Sequence, residues 1–115
     1  MIAHIVLFSP KSDLPPEARR DLLASLAAAS GGIPSIRRFR VGRRVRHGLP
    51  GYEQMMLDDY EFAAVIEFDD VDALKAYLSH PSHAAIGQHF TASASKSLAY
   101  DYVMVDPGEA ASLLA

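Results

Sequence analysis

The amino-acid sequence predicts an α+β domain: a four-stranded antiparallel sheet with helices on one face. Two observations predict it. Four runs of strand length are rich in β-branched and aromatic residues, and two stretches with helix-start chemistry, Ser12 to Glu17 and Asp69-Asp70, stand between them.

Met1 to Ser9 reads as the first strand, with Ile2, His4, Val6 and Phe8 on one face and Ala3, Ile5 and Leu7 on the other. Apolar residues on both faces mark a central, doubly covered strand. Ser12-Asp13-Leu14-Pro15-Pro16-Glu17 supplies capping side chains, early prolines and an acid, and opens a helix. Ala18, Leu22, Leu26 and Ala29 recur at helical spacing until Gly31-Gly32 ends it.

Ser35 to Arg46 alternates as a second strand, with Phe39, Val41 and Val45 opposite Arg38, Arg40, Arg44 and Arg46. The breakers Gly48, Pro50 and Gly51 make His47 to Tyr52 a loop. Met56 through Phe68 reads as the third strand, in which Phe62, Ala64, Ile66 and Phe68 alternate with Ala63, Val65 and Glu67. Asp69-Asp70 caps a helix carrying Val71, Leu74 and Leu78, with Tyr77 beside that stripe.

Pro81 cannot continue this helix, so it stops near His80 and a new one starts at Pro81. In that second piece His83, Ile86, Gly87 and Phe90 share a face. Thr91 to Ser97 is a connection of small residues. Leu98 to Val105 is the fourth strand, and the tail after Pro107-Gly108 is helical or frayed. The domain is expected over residues 1–106, with 107–115 as a tail.

The resulting order, βαββαβ, is that of a ferredoxin-like plait. Two helices cover one face of a four-stranded sheet, yet the first and third strands are apolar on both. A second copy packed sheet to sheet, a homodimer, is the expected cover.

Eleven Lys and Arg against fourteen Asp and Glu give a net charge of −3, which opposes general binding to nucleic acid or anionic membrane. No run approaches the roughly 20 apolar residues of a membrane span. The absence of cysteine excludes disulfides and thiolate chemistry, and fits a cytoplasmic protein. The six arginines between Arg37 and Arg46 are expected to pair with Asp58, Asp59, Glu61 and Glu67 across a hairpin. There is no phosphate-binding glycine loop, HExxH or nucleophile elbow.

The stretch Tyr77-Leu78-Ser79-His80-Pro81-Ser82-His83 is the densest in acid-base groups. Each has a structural and a chemical reading. Tyr77 is a packed aromatic or a hydroxyl donor; His80 caps a helix end or faces a ligand; His4 is a bonded core histidine or a site residue. His83 falls in a first helical turn, where the helix dipole disfavours imidazolium and leaves the neutral form a general base requires. A metal site at His80, His83 and His4 is disfavoured, because Pro81 disturbs the spacing and no carboxylate completes a triad.

His4-Ile5-Val6-Leu7-Phe8, Ile33-Pro34-Ser35-Ile36 with Val41-Gly42, Ala64-Val65-Ile66-Glu67-Phe68, and above all Tyr77 to His83 resemble the stress-responsive dimeric α/β-barrel (Dabb) family. That resemblance implies a dimeric α/β barrel with a pocket between each sheet and its helices. One branch of the family holds plant polyketide cyclases that are similar at Tyr-x-x-His-Pro-x-His. By that likeness His83 is the base, Tyr77 orients it or the substrate carbonyl, and His4 positions the substrate. His80, Ile86 and Phe90 are the substrate-binding candidates.

The implied chemistry is a lyase- or cyclase-type reaction without cofactor or metal, on a small carbonyl-containing ligand. The arginine-rich strand and the segment Thr91 to Ser97 depart from the plant pattern. Two other classes stay open: a non-catalytic stress or ligand-binding homodimer, and a haem-degrading or quinol monooxygenase, whose usual tryptophan has no counterpart here.

Overall fold

A computed structural model describes residues 1–115. The elements are β1 (Ile2–Pro10), α1 (Pro16–Gly32), β2 (Arg38–Arg43), β3 (Phe62–Phe68), α2 (Val71–Leu78), α3 (Pro81–Ser93) and β4 (Ala94–Val103). Single 3-10 segments occupy Glu53–Met55 and Pro107–Leu114. The sheet order is β2-β3-β1-β4, with every neighbouring pair antiparallel. This is the ferredoxin-like arrangement, with β1 and β3 central. No helix is long and apolar enough to cross a membrane.

The alternation read from β1 and β3 decides where the core lies. Phe8, Leu22, Ile66, Phe68 and Tyr77 are the largest fully buried side chains, joined by Leu26, Ala29, Leu74 and Ile86 from the helices. They fill the space between the sheet and one helical layer. On the other face Ile5, Leu7, Ala63 and Val65 are only half-buried, and Tyr100 is 58% exposed.

Helix starts follow local chemistry. Asp70 caps α2, its side chain accepting from the Ala73 N–H at 2.8 Å. Helix α1 begins at Pro16, later than Ser12-Asp13 suggested, and has no side-chain cap. Proline at the first helical position has no N–H to satisfy, so the missing cap costs less there.

Both hairpin strands are shorter than their periodicity implied. The Arg44 N–H still donates to the Glu61 carbonyl at 2.8 Å, but residues 45–60 leave the ladder, where Arg44 and Arg46 turn to Asp59, each at 2.5 Å, and Gly48 and Gly51 take positive φ. Pairing across the hairpin therefore holds for those two arginines. Arg37 instead meets Asp69 at 2.9 Å, and Glu61 is taken by Arg19 from α1 at 2.7 Å. Strand β4 starts at Ala94, so half of the small-residue segment is strand; its small side chains let the edge strand follow β1 up to Pro10.

Candidate active site

The joint between α2 and α3 is built by His80 and Pro81. The His80 Nδ1 accepts from the Ser82 N–H at 3.0 Å and caps α3, while Pro81 takes the first helical position. This sets His83 in the first turn of α3, and Tyr77, one turn before the joint, points under it into the core.

Tyr77 is 2% exposed and lies between two imidazoles. Its ring centroid is 4.8 Å from that of His83 and 5.7 Å from that of His4, both edge-on. Phe68 backs it at 5.2 Å. His4 lies mid-strand in β1, and its register partner on β4 is Asp101. The Asp101 Oδ1 lies 2.5 Å from the His4 Nδ1, leaving Nε2 as the ring's free nitrogen.

A cavity of about 340 Å³ joins these groups, lying between the sheet and the helices. His4, Tyr77, His83 and Ser97 form its polar part; Val6, Leu26, Ile66, Ile86 and Phe90 supply much of the rest. Its size is at the low end for ligand cavities, about 300–1,000 Å³.

Of the six site candidates, the cavity gathers His4, Tyr77, His83, Ile86 and Phe90. His80 is not brought to it: its ring is occupied in capping α3. Asp101 was not anticipated. Its alternation with Tyr100 and Tyr102 was visible, but the register opposite His4 depends on which strands pair, and one strand cannot reveal that.

Burial lowers the His83 pKa below the ordinary 6.5, and neighbouring His4 lowers it further, while a backbone interaction with Leu78 acts the other way. Burial pushes the Tyr77 phenol up to about 12. Near neutral pH the site therefore holds a neutral imidazole beside a protonated phenol: one group able to take a proton and one able to donate a hydrogen bond.

Other features lie apart. A larger depression of about 690 Å³ lies over Leu7 and Ala63 on the opposite side of the sheet, beneath Met55, Met56 and Leu57, and contains no histidine. The acid-base groups converge in the smaller cavity. His47 stays in its loop, 3.4 Å from Glu53, and His89 is exposed. No group of three or more His, Asp or Glu side chains is arranged to hold a metal ion.

The sequence pattern of the stress responsive A/B barrel domain matches residues 2–104. The chain belongs to the Dabb family. No curated protein matches it significantly by sequence. A Dabb family protein with a ferredoxin-like fold from Mesorhizobium loti is similar at 25% identity, covering 90% of this chain and 96% of that one, with a TM-score of 0.71. A dimeric protein of unknown function from Bacteroides fragilis is 28% identical over 90% and 95%, with a TM-score of 0.65. The hydroxynitrile lyase of Passiflora edulis superposes with a TM-score of 0.78 over 91% and 94%, at 15% identity, a likeness of fold. The Dabb domain thus spans nearly the whole chain, and Tyr77, Leu78 and His83 lie at the cavity within it.

Proposed function

We propose that this Dabb protein is a cofactor-independent acid-base enzyme of the lyase or cyclase type, acting in the cytoplasm on a small carbonyl-containing substrate. The observation that carries the reading is the convergence of a neutral imidazole, His83, with the protonated, buried Tyr77 in one mainly apolar cavity.

In this reading His83 takes a proton from a carbon between two carbonyls, and the electron pair moves onto carbonyl oxygen as an enolate. The Tyr77 hydroxyl donates a hydrogen bond to that oxygen. The enolate carbon then attacks a second carbonyl of the same molecule, forming a carbon–carbon bond, and His83 returns its proton to the new alkoxide. Ring closure by this route needs no outside oxidant or reductant. His4, held by Asp101, positions the substrate, and Ile86 and Phe90 pack against its apolar part.

The protein works as a homodimer in this account. The half-buried Ile5, Leu7 and Val65 and the exposed Tyr100 on the uncovered sheet face support a second copy there, and several similar structures are described as dimeric. A monomer by light scattering at micromolar concentration would overturn this part.

The test of function is turnover of a poly-β-keto substrate. His83→Ala is expected to abolish it and leave the dimer intact; unchanged turnover removes the base assignment. The competing reading is a non-catalytic ligand-binding homodimer. It is favoured by His4, which already has an internal partner in Asp101, and predicts ligand binding without conversion.

A further inference from the structure

We infer that ligands enter the cavity through an opening between α3 and β4, and that Gly87 and Ala99, on its two walls, set the size of what passes. This rests on the reading of the cavity as a ligand site. The floor residues Leu26, Ala64, Ile66, Tyr77 and Ile86 are buried, as is His4. Of the four exposed lining residues, Gly87 from α3 and Ser97 and Ala99 from β4 flank one gap, while Leu78 sits at the end of α2. The outlet therefore lies along the edge strand.

The packing explains why this side is open. Helix α3 lies chiefly against α1 and meets β4 at few points. The far end is closed by Phe90, whose ring stands 4.8 Å from Phe8. Between these limits β4 offers Ala99 beside Val6 in register, a side chain too short to bridge the gap. Across it, a Cβ added at Gly87 meets nothing within 4 Å. Gly87 thus has room for a larger side chain and Ala99 is exposed on the other wall, so enlarging either would narrow the passage without displacing the core. The opening lies on the helical side of the sheet, away from the face assigned to the second copy.

The test uses the full-length protein and diethyl pyrocarbonate, a small reagent that carbethoxylates accessible neutral imidazoles, with sites read by peptide mass spectrometry. His4, 5% exposed and reached through the cavity, reports the interior; the exposed His89 reports the surface. Gly87→Leu and Ala99→Leu are each expected to slow modification of His4 at least fivefold while His89 keeps its rate. His4 reacting at the unsubstituted rate in both variants would overturn the inference, as would a His4 that never reacts in the unsubstituted protein. If Gly87→Leu fails to fold, Ala99→Leu decides from the other wall. Turnover is not read, so failure of the proposed chemistry leaves this result separate.

Discussion

Asp101 and His4 face each other across the β4–β1 ladder, with the carboxylate oxygen 2.5 Å from Nδ1 of the ring. A carboxylate accepting from Nδ1–H fixes the tautomer and directs the ring's remaining function to Nε2. In the proposed chemistry Asp101 would act on the substrate only through His4, as a positioning residue. Replacing Asp101 with Ala is expected to lower turnover on the order of 10²-fold by loosening the ring, since small misplacements of that kind carry such costs. Asp101→Asn, whose amide oxygen still accepts, should recover most of it. Parallel kinetics of the two variants, with histidine NMR to follow the tautomer, checks this; equal loss in both would point to charge alone.

At Tyr77 the proposed catalytic role can be separated from stability. Burial alone shifts its phenol, with no hydrogen bond opposing it. Removing a poorly partnered buried hydroxyl is close to neutral for folding. Tyr77→Phe is therefore expected to keep or slightly raise the Tm. Turnover should fall by about 10²–10³-fold, the usual cost of losing one donor to a developing oxyanion. Calorimetry and turnover on the same preparation test both halves.

The pH dependence follows from His83. Its folded pKa lies below its unfolded value of about 6.5, so below that pH the unfolded chain binds the proton more readily. Its contribution leaves stability undiminished above about pH 6.5. Stability is then lost as pH falls from there through the folded pKa, and the loss stops growing below it. Turnover should remain level from pH 8 to 7 and fall only below pH 6.5, on the acid side of free histidine. Denaturation midpoints and rates across pH 5–8, compared between the unsubstituted protein and His83→Ala, isolate this group.

His80 has a structural task. Its imidazole caps α3 at Ser82, so His80→Ala is expected to cost about 0.5–2 kcal/mol, the range for lost helix caps. His80→Asn, a strong capping residue, should restore stability with turnover near that of the unsubstituted protein. A large loss of turnover in a stable His80→Asn would instead place the ring at the substrate.

The sheet, its one helical layer and the break at Pro81 were legible because each rests on short-range chemistry: two-residue alternation in β1 and β3, the Asp70 cap, and a proline that ends one helix and starts the next. The histidines and Tyr77 were legible as a cluster for the same reason. Three things were not. The ends of β2 and β3 depend on Arg44 and Arg46 reaching Asp59 across a long loop. The His80 ring has two uses at a helix joint, and only the position of Ser82 N–H chooses between them. Asp101 becomes a site residue through the register of β4 on β1, a pairing made 97 positions away in sequence.

Proton abstraction by His83 is the central claim, and solvent deuterium reports it before any later step. In D₂O the unsubstituted protein is expected to speed incorporation of deuterium at the carbon between the carbonyls of a poly-β-keto thioester. His83→Ala should reduce that acceleration by at least 10²-fold, the lower range of general-base contributions. Equal incorporation by the two proteins would contradict the account.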